Sequence, residues 1–497
     1  MSSSVSHPVR DLSLVLSLAI VARVLVLQIL PLDWNWDSYH HWQISWLSLR
    51  MGFPQWRLWD LNGCEYYWGM FPHVVEAALM GVAGSPGIQP FRFLNTVLGT
   101  LNAGLVFLVG RRYASPRVGL WAGLVFAIFP VAAVFDVLAL QDTMALTFLL
   151  SSLYISRNRT FWSGLLLGLA GQSRTELLLV SAIVVAWVLI VERFSTERLP
   201  MLIGWLFVTG VASYYLYNQT GNPFYNLYWS LYSIFSGAPG GGGKPFLEAM
   251  LAWASWKLSV WPTKPTGILI LSAAAALPIY FIYTLFRKPR DYQLLYFLPT
   301  TAVSAPIFVT YLGADDRMLL IMLRMVTPVV ALGLPILFAA IPQHLGRHFK
   351  RFSLLLLAVS ALCFYPLVTA YSGFQAEAAT TMAMADETWK LYKISGGTLV
   401  CDYPMMNYRF ISRWELPEKS LISNHYAPQY YDISEPIEYV KWLANHRVTV
   451  WVRYGGDAEA VYSAVESVSP NLLVEAYENS GIRVYVVDSD ELYRVLG

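Results

Sequence analysis

Charge is what this sequence is short of. Of 497 residues only 13% are Asp, Glu, Lys or Arg, against roughly 25% in a soluble domain. The 34 basic and 32 acidic residues leave a net charge of +2, so no basic surface for nucleic acid is indicated. Cysteine is scarce too. Cys64, Cys363 and Cys401 are too few for a disulfide framework, and no CxxC or Cys/His cluster marks a structural zinc site. No low-complexity segment stands out, and no internal repeat relates two halves as it commonly does in transporters. A small-residue cleavage site is missing after the first apolar run, where Trp34 and Trp36 come instead. That run therefore reads as a retained helix, not as a signal peptide.

What fills the space is apolar. Hydrophobic residues make up 56% and aromatic ones 15%, and the mean hydropathy is +0.47. A bilayer core takes about 20 apolar residues per helix, and about eleven candidate spans follow: 11–30, 89–110, 117–135, 143–156, 160–173, 175–192, 200–217, 266–286, 292–312, 318–341 and 352–371. Two, 143–156 and 160–173, are short for a full crossing and suit a wet cavity lined by protein. With the N-terminus cytoplasmic, alternate connections carry Arg111, Arg112 and Arg117; Arg157 and Arg159; Arg193 and Arg198; Arg287, Lys288 and Arg290; and Arg347, Lys350 and Arg351. That is the positive-inside bias. An odd number of spans places the C-terminus on the opposite side, together with loops at roughly 31–88 and 218–265, the latter holding Gly240 to Gly243.

After about residue 372 the chain changes character. Strand-like runs at 398–401, 448–452 and 482–487 alternate with helical patterns at 435–446 and 457–468, which reads as a small α/β domain. The expected organisation is thus an all-α polytopic membrane domain, 1–372, followed by an extracytoplasmic α/β domain, 373–497.

Ionisable residues at or inside spans are costly and mark functional candidates. Asp33 and Asp37 open the first outer loop in Asp33-Trp34-Asn35-Trp36-Asp37-Ser38-Tyr39-His40-His41. Four residues apart, they share a face if the stretch is helical; alternatively Asp37 caps a helix. Asp142, in Gln141-Asp142-Thr143, either caps a span or faces the same compartment as Asp37. Arg174 and Glu176, in Arg174-Thr175-Glu176, form an ion pair across a tight turn, or Arg174 points at an anion. Arg317 follows Asp315 and Asp316, and Arg324 lies about two turns further, roughly 10 Å deep. An arginine there needs an anionic partner, and its planar fork suits a phosphate. His73, after Phe71-Pro72, is a weaker candidate, as are Lys257 and Lys264, which read as snorkelling residues.

The order and common sidedness of these stretches resemble the GT-C superfamily of integral-membrane glycosyltransferases, including the protein O-mannosyltransferase and aminoarabinose transferase branches. Trp36-Asp37-Ser38-Tyr39-His40 stands where that family has its first-loop acidic motif. Phe71-Pro72-His73, Arg92, Arg111-Arg112 and Gly119-Leu120-Trp121-Ala122-Gly123 are similar to its second-span and third-span pattern. Gln141-Asp142-Thr143 matches an acidic residue opening a span, and Arg324-Met325-Val326-Thr327-Pro328 a late Arg-x-x-x-Pro. The match covers about 30–341. One departure is that many relatives carry adjacent acidic residues in the first loop, whereas here Asp33 and Asp37 are separated, which leaves open which is catalytic; the aromatic-Asp-x-Tyr-His context favours Asp37.

The resemblance implies transfer of a sugar from a polyprenyl- or dolichyl-phosphate donor to a glycan, lipid or protein acceptor on the extracytoplasmic face of a cell or ER membrane. It implies Asp37 as general base and Arg324 at the donor phosphate. It implies Asp142, Tyr39, His40, His73, Arg174, Glu176 and Arg317 around the substrates, and inversion at the anomeric carbon. A divalent cation, Mg or Mn, held by Asp37 and Asp142 stays open. From other classes, a transporter or lipid flippase and a non-catalytic scaffold remain as rivals.

Overall fold

The computed structural model describes residues 8–61, 68–191, 194–236, 244–260, 292–310, 316–345, 348–422, 435–454, 457–479 and 481–497. The expected span 266–286, Cys64, the run Gly240 to Gly243, Lys264 and Asp315 lie outside the described residues. Two compact units emerge. One comprises Met1–Pro31, Tyr66–Pro72 and Arg92–Ser372, the other Leu32–Glu65, His73–Phe91 and Gly373–Gly497.

The helices run α1 (Pro8–Ile29), α2 (Trp36–Leu47), α3 (Met70–Ala83), α4 (Gln89–Tyr113), α5 (Pro116–Ala127), α6 (Pro130–Phe135), α7 (Asp142–Ile155), α8 (Thr160–Ser173) and α9 (Thr175–Val191). They continue as α10 (Leu199–Thr220), α11 (Tyr225–Ser236), α12 (Phe246–Val260), α13 (Tyr292–Thr310), α14 (Asp316–Met322), α15 (Thr327–Leu345), α16 (Phe349–Ala370) and α17 (Ser372–Ser395). Among the described residues, five stretches are long and apolar enough to cross a bilayer: α1, α4, α10, Arg317–Ala340 and Phe349–Ser395. The apolar helices α3, α5, α7 and α9 are shorter.

Two expected spans are interrupted. The stretch 117–135 breaks into α5 and α6 because Pro130 lacks an N–H and forces Phe129 into an extended conformation, φ −65° and ψ 112°. The stretch 318–341 breaks at a 3-10 turn, Leu323–Val326, before Pro328 sits in the first turn of α15.

The first unit is built around one apolar cluster that includes Val15, Phe107, Phe126, Trp187, Tyr296 and Phe338. Its outer surface is apolar as well. On α10, Ile203, Phe207, Val211 and Tyr214 are 58%, 62%, 61% and 71% exposed, and their spacing puts them on one helix face. Such a stripe is an aggregation liability in water and the ordinary condition of a helix in lipid. The protein is an integral, multi-pass membrane protein.

In lipid, apolar contact alone does not hold helices together, so close packing matters more. Gly164 of α8 and Gly204 of α10 provide it. A Cβ at Gly164 would overlap the Met201 carbonyl oxygen, and one at Gly204 would overlap that of Phe161. The two backbones meet because neither residue has a side chain.

The second unit ends in the α/β part, with β1 (Thr398–Cys401), α18 (Pro404–Trp414), β2 (Leu421–Ile422), α19 (Pro436–Asn445), β3 (Val448–Tyr454), α20 (Asp457–Val468), β4 (Leu473–Asn479), β5 (Ile482–Val487) and α21 (Ser489–Leu496). The five strands form one mixed sheet in the order β2-β1-β3-β5-β4. β1 pairs in parallel with β2 and β3, while β5 pairs antiparallel with β3 and β4. Trp451, Tyr485, Tyr439 and Val465 are buried in its core. The three expected strands and both helices are present. β2 and β4 are additions: β2 has two residues, and most of β4 faces outward, so neither carries an apolar alternation.

Candidate active site

The first unit holds a small, partly open cleft lined by Phe135, Asp136, Asp142, Thr143, Leu146, Arg324, Thr327 and Pro328. Arg324 comes from the 3-10 turn before α15 and is 5% exposed. Asp142 opens α7 without capping it, since the N-cap position is Gln141 and no side chain caps that end. A carboxylate in a first helical turn is favoured by the helix dipole. Arg174 reaches Asp142 Oδ2 at 3.4 Å, donates from Nε to Glu176 Oε1 at 2.8 Å, and places Nη2 at 3.8 Å from Met325 Sδ, next in the chain to Arg324. Of the two readings of Arg174, the ion pair is formed, and it extends to Asp142 as well as to Glu176.

Asp136, absent from the sequence-based candidates, also lines the cleft. It accepts from Arg23 Nε at 3.1 Å and Nη2 at 2.5 Å, and from Thr143 Oγ1 at 2.8 Å. Arg23 is fully buried in α1, and its Nη1 donates to the Ala19 and Ala127 carbonyls. The signal for it was a lone arginine inside an apolar span, which demands a partner. One face of α4 grips the chain between Asp136 and α7. Arg92 Nε donates to the Val137 carbonyl, Asn95 Nδ2 to those of Leu138 and Leu140, and Asn102 Nδ2 to that of Thr143.

In the second unit, α2 and α3 enclose a polar seam. Asn35 caps α2, accepting from the Asp37 N–H at 2.9 Å, and its own N–H donates to Asp33 Oδ1 at 3.1 Å. This corrects two expectations: Asp37 lies in the first turn and is not the cap, and Asp33 lies before the helix, so the two carboxylates do not share a helical face. Asp37 is 7% exposed. The Tyr39 hydroxyl donates to the Asp33 carbonyl at 2.7 Å and its ring lies 5.1 Å from that of Tyr408, so Tyr39 braces the loop.

His40 Nε2 meets Asp60 Oδ2 at 3.0 Å, while Gln43 Nε2 donates to Asp60 Oδ1 at 2.5 Å and its Oε1 accepts from Asn407. Burial pushes the Asp60 carboxyl up, but its hydrogen bond to His40 and the His40 charge, helped by Gln43 and the Leu61 backbone, outweigh it and hold the group below the usual carboxylate range. His73 is fully buried, with Nε2 at 3.1 Å from His41 Nδ1. One turn on, Ser45 donates to Glu76 Oε2 at 2.8 Å. Burial raises the Glu76 carboxyl to about 8; the Ser45 hydrogen bond opposes this and the Asp33 charge adds to it. Asp60 and Glu76 have no local motif. They are legible only once α2 has neighbours.

Arg317 is exposed at the start of α14. Among the described residues, no group of three or more His, Cys, Asp or Glu side chains gathers to hold a metal ion.

No family model and no curated protein matches the chain. Solved structures do. ArnT from Cupriavidus metallidurans bound to undecaprenyl phosphate aligns with a TM-score of 0.55 over 96% of this chain and 98% of that one, at 14% identity. The Archaeoglobus fulgidus oligosaccharyltransferase in complex with Zn and sulfate aligns with a TM-score of 0.52 over 95% and 73%, also at 14% identity. The same enzyme tethered to an acceptor peptide containing the NVT sequon gives 0.51 over 96% and 74%, at 12% identity. The chain has the GT-C fold. At these identities the fold is what is shared. The GT-C resemblance read from the residue pattern over about 30–341 and the likeness in coordinates agree on the fold.

Proposed function

We propose that this chain is a GT-C glycosyltransferase that moves a sugar from a polyprenyl-phosphate-linked donor to an acceptor hydroxyl on the extracytoplasmic side of the membrane. The observation that carries the reading is the cleft in which Arg324, nearly buried, shares walls with Asp142. A guanidinium held away from water is suited to an anionic leaving group. ArnT, with the same fold, is seen bound to undecaprenyl phosphate, which supports a lipid phosphate as the donor's leaving half.

In the proposed reaction the acceptor hydroxyl gives its proton to Asp37 as its oxygen bonds to the anomeric carbon. General-base catalysis of this kind contributes roughly 10²–10⁴-fold. The bond from that carbon to the phosphate oxygen breaks, and the polyprenyl phosphate departs with the electron pair. Arg324 faces the charge that develops on the phosphate, the largest kind of term in such sites. Asp142, paired with Arg174, takes sugar or acceptor hydroxyls. His40 and His73, buried beside Asp60 and His41, shape the loop that carries Asp37. A single displacement inverts the anomeric centre. The Mg or Mn named from the resemblance enters no step.

The test is transfer of radiolabelled sugar by the purified protein from undecaprenyl-phosphate mannose, arabinose and glucose, wild type beside Asp37→Asn. Release from one donor by wild type alone supports both the class and the base. Release from none, by folded protein with acceptors present, refutes the class and favours the transporter or scaffold. Equal release by Asp37→Asn refutes the base.

A further inference from the structure

A buried ion pair is a poor way to gain stability, because removing two charges from water costs about as much as their attraction returns, and a well-packed apolar pair serves as well or better. Arg23 and Asp136 are nonetheless 0% and 2% exposed, from segments 113 residues apart. Room is kept for them: a Cβ at Gly99 of α4 would overlap the Asp136 side chain. Arg23 occupies one carboxylate oxygen of Asp136 with two N–H groups. The other oxygen accepts from Thr143, the neighbour of Asp142. The carbonyls of Val137, Leu138, Leu140 and Thr143 are meanwhile taken by Arg92, Asn95 and Asn102. Residues 92, 95, 99 and 102 recur on one face of α4. The turn that delivers Asp142 is therefore tied by α4 at four backbone carbonyls and, through the Asp136 side chain, to Arg23.

We infer that the Arg23–Asp136–Thr143 relay is a positioning device that fixes Asp142 against Arg324 for the transfer step. The inference rests on the glycosyltransferase reading. Arg23, Asp136 and Thr143 act through Asp142 and the cleft wall, not by proton transfer. Their contribution is orientation, for which a displacement of about 1 Å costs roughly 10²-fold in rate.

The experiment measures kcat and KM for whichever labelled undecaprenyl-phosphate sugar the wild type turns over. The variants are Thr143→Val, Thr143→Ser, the double variant Arg23→Met/Asp136→Leu and, as a reference, Asp142→Ala. Melting temperatures in detergent establish that each is folded. Thr143→Val keeps the shape of the side chain and deletes only the hydrogen bond. It is expected to lower kcat about 10²-fold with KM within about twofold, the pattern of a lost transition-state interaction. Thr143→Ser should recover at least about ten-fold of that loss, and the apolar double variant should melt no lower than wild type while turning over as slowly as Thr143→Val. Wild-type kcat in Thr143→Val, with Asp142→Ala inactive, overturns the positioning role and leaves the functional reading standing. Wild-type kcat in Asp142→Ala overturns the role assigned to the cleft itself, and the relay with it. Should the double variant fail to fold, the Thr143 pair decides alone.

Discussion

Glu76 links the interior of the second unit to pH. The residue is 1% exposed on α3, which is about 21 Å long at 1.5 Å per residue and too short to cross a bilayer core of about 30 Å. Its carboxyl titrates near 8 in the fold, against 4.5 in the open chain. Between those values the unfolded chain has released a proton that the folded protein keeps. Stability from this group is thus fully present below about pH 4.5, falls as pH rises, and reaches its floor above about pH 8. At 1.36 kcal/mol per pH unit, the loss at pH 7 is about 3 kcal/mol. Glu76→Gln cannot ionise and keeps a carbonyl oxygen for the Ser45 hydroxyl. Thermal unfolding of detergent-purified wild type and variant from pH 5 to pH 8 should therefore diverge, the variant gaining on wild type by roughly 5–10 °C at pH 7 relative to pH 5, where the difference is about 2.5 kcal/mol. Parallel curves would refute the protonated, buried state of Glu76, and with it the account of the seam between α2 and α3.

Other expectations follow from particular contacts. Arg324→Ala should reduce transfer from the lipid-phosphate donor by about 10²–10³-fold, and Arg324→Lys should restore only part of it because the bidentate fork is lost; unchanged donor kinetics in Arg324→Ala would remove the phosphate assignment. Gly164→Leu drives a side chain into the Met201 backbone and should separate α8 from α10, which a drop in melting temperature and in folded yield will report. Asn35→Ala removes the α2 cap and should cost about 1 kcal/mol, measurable as a lowered melting temperature; an unchanged value would mean the cap contributes nothing.

Where a property depends on pattern along the chain, it was legible in the sequence. Runs of apolar residues mark helices that satisfy their own backbone in lipid, so α1, α4, α10 and α16 begin and end within a few residues of the expected spans. Alternation and β-branching likewise mark β1, β3 and β5. The order of polar stretches on those spans was enough to suggest the GT-C fold that the coordinates share. Proline's missing N–H broke two expected spans, and that chemistry was present in the sequence at Pro130 and Pro328 even though periodicity ran past it.

Partnership between elements is a different matter. His40 could be seen as a candidate, but not that Asp60 would hold it, nor that His41 would face His73 or Ser45 would face Glu76. Arg23 was passed over inside its apolar span, and nothing local said that its partner would be Asp136, 113 residues away. Local pattern sets which face of a helix is polar. Which residue that face meets depends on how helices pack, and there a glycine such as Gly99 or Gly164 decides the approach. The sequence by itself determined a many-spanned membrane protein with an α/β end and polar residues out of place. Tertiary structure alone decided which of them stand within hydrogen-bonding distance, because the strength of such pairs lies in distances of a few ångströms that no spacing along the chain encodes.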